Sequence, residues 1–268
     1  MTKFSNVRAV LSGSVLELFV YEKKVAYDFN IEPAERSIDL SVQPSEQEKI
    51  LTRIRSLQRT KSTLRRIVHA NSYEWSDIHG EICKTKFVTL TFAENIQTVQ
   101  EANPCFTNFM KRLNYRIHQT KKSKLQYVLV PEFQKRGAVH YHAIYFNLPW
   151  FGADLLADTW AHGFVRINQI AHINNIGSYI AKYIGKDMND HRLAGQKHYF
   201  TSRGLKRPIF IKDPATYAGL HEHVADLPIT YASEFDSDMH GHVRYSLIDL
   251  SEYSLEKQKV LESLKLQP

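Results

Sequence analysis

Between residues 86 and 188 the hydrophobic period alternates between that of a strand and that of a helix, and this order constrains the architecture more than any other feature. KFVTLTFAE at 86–94 alternates as a half-buried strand does. NPCFTNFMKRLNYRIHQ at 103–119 puts Phe106, Phe109, Leu113 and Ile117 on one helical face, with Asn103 as the cap before Pro104. KLQYVLVPEFQ at 124–134 and AVHYHAIYFN at 138–147 read as strands around a KRG turn. GADLLADTWAH at 152–162 reads as a helix, FVRINQI at 164–170 as a strand and NNIGSYIAKYIGKDM at 174–188 as a helix. The β-α-β-β-α-β order predicts an α/β (α+β) fold of ferredoxin-like type, an antiparallel sheet with helices on one face.

The flanks are read less sharply. VLSGSVLELFVYEKKVAYDF, within 7–43, suggests short strands about a polar YEKK turn. From Ser45 to about Asn71 a helix is expected, begun by Pro44 and Ser45, with Ile50, Ile54, Leu57, Leu64, Ile67 and Val68 near helical spacing. It carries Lys49, Arg53, Arg55, Arg59, Lys61, Arg65 and Arg66 against Glu46 and Glu48, which suits either a phosphate-facing helix or a solvated basic face. After Met188 the chain is polar, basic and turn-rich, and Lys197, Arg203, Lys206, Arg207 and Lys212 fit a loop that flanks an active site and lines a nucleic-acid channel. The tail from Asp213 is acidic and ends in an amphipathic helix at 251–266. The expected division is an N-terminal extension at 1–80, a central domain at 81–212 and a C-terminal extension at 213–268.

Charge points to the class of partner. Residues 1–212 hold 31 of the 35 Lys and Arg and 18 of the 28 acids, while the rest holds 4 and 10. The basic part is where a polyanion is expected to bind. A hydrophobic fraction of 43% over 268 residues is enough for a core and excludes a disordered chain. Two cysteines, Cys83 and Cys105, make no disulfide framework, so a reducing, cytoplasmic setting is expected. Without a signal-peptide pattern or a membrane-length apolar run, no membrane partner is expected.

The chemistry concentrates in two clusters. His140 and His142 at i and i+2 of a strand leave the sheet on the same face while Tyr141 points to the other. Alone they suit either a metal or a solvent face. If Lys135, Arg136 and Gly137 form a three-residue loop with glycine left-handed, Glu132 stands across from His140 and shares its face. Two nitrogens and a hard oxygen then favour Mg2+ or Mn2+ where phosphate oxygens complete the shell, with zinc chemically allowed. The helix at 174–188 brings Tyr179, Lys182 and Tyr183 of YIAKY to one face. The tyrosines either pack on the sheet or act as nucleophiles. A phenol with an ordinary pKa of about 10 needs help at neutral pH. A neighbouring lysine supplies positive charge, and a metal-polarised phosphate is easier to attack.

These residues resemble those of a rolling-circle replication initiator of the HUH endonuclease superfamily, of the two-tyrosine type similar to bacteriophage A proteins and related Rep proteins. KFVTLTF at 86–92 resembles that family's first motif, HYH at 140–142 its His-hydrophobe-His motif and YIAKY at 179–183 its tyrosine motif, in the family's order. Glu132 resembles the third metal ligand of some Rep proteins. The resemblance implies cutting of single-stranded origin DNA, a 5′-phosphotyrosine adduct, a free 3′-OH that primes replication, and two tyrosines that alternate over successive rounds. Tyr179, in the Tyr-x-x-Lys spacing of single-tyrosine initiators, is the first choice of nucleophile. The chain has no G-x-x-x-x-G-K-[ST] loop, so a host helicase and a host polymerase are expected partners.

Other residues are open between roles. Thr89 and Thr91 share a strand face and serve either DNA or structure. Lys111, Arg112, Arg116, Lys121, Lys122 and Lys124 form a basic stretch, and Lys186 lies in the tyrosine helix, all candidates for backbone phosphates. Tyr127 and Tyr145 either stack on bases or pack in the core. For His118, His162, His172 and His191 a non-ligand role is expected. Relaxases share the chemistry but place the tyrosine before the histidines. Two-tyrosine transposases keep this order but carry a cysteine-rich zinc module that two cysteines cannot build. A non-catalytic module of RRM-like fold would explain the charge and leave both clusters unexplained.

Overall fold

The computed structural model describes residues 3–27, 45–170, 176–182 and 196–265. In chain order the elements are β1 (Lys3–Ser12), β2 (Val15–Tyr27), α1 (Glu46–Asn71), β3 (Lys86–Thr91), α2 (Val99–His118), β4 (Tyr127–Phe133), β5 (Val139–Tyr145) and α3 (Ala153–Trp160). There follow β6 (Val165–Gln169), α4 (Ile176–Ala181), β7 (Phe200–Thr201), β8 (Ile209–Ile211), α5 (Pro214–Val224), β9 (Tyr231–Ser237), β10 (Gly241–Asp249) and α6 (Ser254–Lys265). They form a mixed α/β protein with two compact units, residues 47–206 and residues 1–46 together with 207–268. The boundaries differ from the expected ones because most of α1 packs within the central unit and the two chain ends pair with each other.

The central unit is built on an antiparallel sheet of order β6-β3-β5-β4-β7. Its first four strands have the ferredoxin-like arrangement the sequence order predicts. On one face α2 and α3 bury Phe106, Phe109, Leu113 and Trp160 against Val88, Leu90, Leu129 and Tyr141. A second helical layer, not expected from the sequence, covers the opposite face: α1 sets Leu57, Leu64, Ile67 and Val68 against Phe87, Val128, Val130 and Ile144, and Ile180 of α4 joins them. The strands demand it, because Phe87–Val88, Val128–Leu129 and Ala143–Ile144 place apolar side chains on both faces of the pleat.

Two local expectations are corrected. α2 starts at Val99 rather than after Asn103, because the Thr98 side chain accepts from the Glu101 N–H and caps it. Pro104 therefore lies inside the helix, and Asn103 instead accepts from the Tyr141 hydroxyl at 2.8 Å. YEKK is not a turn either. The β1–β2 turn sits at Gly13, with φ +63°, and residues 21–24 form an irregularity inside β2 where the register shifts opposite Asn6. The rest of that expected strand region, 28–44, lies outside the described residues.

The unit formed by the chain ends has its own antiparallel sheet, β8-β1-β2-β10-β9. α5 and α6 cover one face, with Tyr217, Leu220, Val224 and Val260 against Ala9, Leu11, Leu16, Leu18 and Ile248. The acidic tail is therefore half of a sheet-and-helix unit, and its terminal helix is found as expected at Ser254–Lys265. Among the described residues no helix is long and apolar enough to cross a membrane.

Candidate metal and nucleotidyl-transfer site

The β4–β5 hairpin sets the site. Gly137 takes φ +89°, the Gln134 N–H donates to the Ala138 carbonyl at 2.8 Å, and the register that follows pairs Glu132 with His140 and Val130 with His142. On the other side of β5, β3 pairs Thr89 with His142 and Thr91 with His140. Alternation then places Glu132, both imidazoles, Phe87 and Thr89 on the face covered by α1 and α4. Tyr141 turns to the other face, as its neighbours' direction requires.

Three ligand atoms converge. His142 Nε2 lies 2.6 Å from Glu132 Oε2, His140 Nε2 lies 3.1 Å from the same oxygen, and the two nitrogens are 2.8 Å apart. Two imidazole nitrogens and a carboxylate oxygen, all with lone pairs, repel at such spacing unless a proton or cation lies among them. Glu132 and His142 are each 5% exposed, so water screens them little. The group has the composition and closeness to hold a divalent ion. Thr89 Oγ1 sits 3.2 Å from His142 Nδ1, which lets it accept from Nδ1–H and leave the Nε2 lone pair for a metal. His140 Nδ1 is buried without a hydrogen-bond partner, so its ring is held by strand geometry and by edge contact with His142.

α4 brings the tyrosine to this face. Gly177 is what allows the close approach: a Cβ there would lie 2.7 Å from the Arg65 carbonyl oxygen and 2.9 Å from His69 Nε2. Further along the helix, Ile180 is fully buried and Tyr179 packs edge-on against Phe87 at 5.2 Å. Phe87 in turn stacks on His142 at 5.4 Å, so a single ring touches both the tyrosine and a candidate ligand. Lys182 Nζ stands 5.4 Å from the Tyr179 ring centroid. Tyr183 and Lys186 lie outside the described residues. Phe87 and Gly177 are not singled out by sequence reasoning. Phe87 is discernible as the residue two before Thr89 on the same strand face, and Gly177 as a lone glycine in a helical pattern.

The other expected contacts disperse. Thr91 Oγ1 donates to the Phe164 carbonyl. Arg112 donates three hydrogen bonds to the carbonyls of Thr159 and Trp160 at the end of α3, so its guanidinium serves as a helix cap. It and the exposed Arg116 belong to the helical layer across the sheet from the histidines, which removes them from the neighbourhood of the site. Tyr127 and Tyr145 pack in that same layer's core, and the Tyr145 hydroxyl donates to Met110 Sδ. Burial pushes both phenols above their ordinary pKa. Lys206 pairs with Glu74 at 2.6 Å while Arg203 and Arg207 are exposed. His162 packs on Phe92 and Trp160, and burial, then Lys124, lowers the pKa of His118. His172 and His191 lie outside the described residues.

Residues 85–188 match the family model of the replication-associated protein ORF2. The replication-associated segment runs from the start of β3 through the Glu-His-His group and α4, so the match and the clustered side chains fall on the same stretch. It is consistent with the resemblance to rolling-circle initiators and implies a DNA partner. No curated protein and no solved structure matches the chain.

Proposed function

We propose that this protein initiates rolling-circle replication by nicking and rejoining single-stranded origin DNA. The observation that carries this reading is the triangle of Glu132, His140 and His142 on the sheet face that also holds Tyr179 through Phe87. In the nicking step Tyr179 Oη bonds to the scissile phosphorus, the bond from phosphorus to O3′ breaks, and the phenolic proton passes to the departing 3′-oxygen. The 5′-phosphate stays on the tyrosine and the 3′-OH is free to prime synthesis. Attack by a 3′-OH reverses the step and rejoins the strand. One phosphodiester replaces another, so no nucleotide is consumed, and unwinding falls to a host helicase.

Glu132, His140 and His142 would hold Mg2+ or Mn2+, which when bound polarises the phosphate as a Lewis acid. Lys182 offers positive charge beside the phenol to favour its ionised form. Tyr183 is assigned the second attack, which releases a circle and readies the protein for another round. The deciding experiment incubates the protein with single-stranded origin oligonucleotides and Mn2+ and resolves the products on a denaturing gel. A covalent adduct that disappears on chelation supports the proposal, and binding without any adduct over a broad set of oligonucleotides would make the chain a non-catalytic binding module.

A further inference from the structure

α1 carries more charge than its packing explains. Its buried positions begin at Leu57, and residues 46–56 are exposed except for the half-buried Ile54. That stretch, extended to Arg59, holds Lys49, Arg53, Arg55 and Arg59, all exposed, against Glu46 and Glu48. At a rise of 1.5 Å per residue the cations spread over about 15 Å, roughly the span of two or three phosphates of an extended strand.

The direction of α1 relates these cations to the site. The Asn71 end lies beside Lys206, with which it exchanges hydrogen bonds. β7 pairs Thr201 with Val128 and Phe200 with Leu129, and the same count continued backwards sets His198 level with Pro131, the residue before Glu132. His198 has its pKa lowered by burial first and by the positive charge of Arg53 second, so Arg53 lies near the Glu132 end of the strand. The basic half of α1 thus starts beside the carboxylate end of the Glu-His-His group and on the same face of the sheet.

We propose that this half of α1 is a phosphate-binding arm that holds the single strand flanking the scissile phosphate. The inference rests on the nicking function above and adds where the substrate runs. Side chains of this kind fix a backbone without reading its bases, so the arm supplies affinity and direction while sequence choice lies elsewhere.

The test replaces Lys49, Arg53, Arg55 and Arg59 together with glutamine in the full chain and measures binding to a long and a very short oligonucleotide at several salt concentrations. For the long strand the slope of log affinity against log salt should flatten by about 0.7 for each phosphate no longer neutralised, roughly 2 to 3 in all. Binding of the short strand that covers only the cleaved linkage should change little, as should adduct formed on it at saturation. An unchanged slope for the long strand overturns the arm. An equal weakening for short and long strands also overturns it, since the cations would then act at the reacting phosphate or on folding, which circular dichroism of the variant separates. Because the binding slope is read without cleavage, a protein that forms no adduct still tests the role of α1.

Discussion

At His142 a single imidazole answers to three neighbours: Glu132 and His140 at Nε2 and Thr89 at Nδ1. Removing the Thr89 hydroxyl leaves the metal-facing atoms in place and loosens only the ring's orientation. Thr89→Val should therefore weaken Mn2+ binding by about 10- to 100-fold in calorimetry, with His142→Ala abolishing it. Tyr179→Phe keeps the edge contact with Phe87 and loses only the hydroxyl. Combined with Tyr183→Phe it should abolish adduct formation while oligonucleotide affinity stays within a few fold. Adduct formed by the double variant would remove the tyrosines from the reaction. The pairing of Glu132 with His140 is legible in the sequence because a three-residue loop ending in a left-handed glycine fixes register. The part played by Phe87 is not, since it depends on which face α4 covers.

Among the elements, α4 depends on one small residue. In Gly177→Ala the new methyl would meet the Arg65 backbone oxygen at 2.7 Å, which a side-chain shift cannot relieve. A destabilisation of about 1–3 kcal/mol is expected in urea unfolding, or else α4 moves from α1 and adduct formation falls with the fold intact. α5 provides a pH test. Asp213 caps it by accepting from the Thr216 N–H, and this backbone bond chiefly holds its carboxyl below the ordinary value. A depressed folded-state pKa stabilises the protein above the ordinary carboxylate range, and that contribution is lost as pH falls through it. Asp213→Asn, which can still cap but does not titrate, should flatten the acid limb of thermal stability between about pH 5 and 3. Helix positions are readable from spacing, but the start of α2 is not, because Thr98 outcompetes Asn103 as the cap.

Over the whole chain, charge and fold divide together. Residues 47–206 hold 24 Lys and Arg against 11 acids, and the chain ends hold 11 against 17. The site and the basic surplus share one unit, while the acidic unit is closed by strands from both ends of the sequence. Truncation after residue 206 should leave Ala9, Leu11, Leu16 and Leu18 without β8, β10, α5 and α6, and the shortened protein should bind a hydrophobic dye or precipitate. Local pattern determined the strand-helix order of the replication-associated segment, the shared face of Glu132, His140 and His142, and the helical placement of Tyr179, because periods of two and of about 3.6 residues and a tight turn are properties of neighbouring residues. Tertiary structure alone decided that α1 covers the histidine face, that Arg112 caps α3 and that β1 and β2 join β10. Each of these joins residues far apart in the chain, and such pairings are settled by which apolar faces find cover, a competition that no short stretch of sequence records.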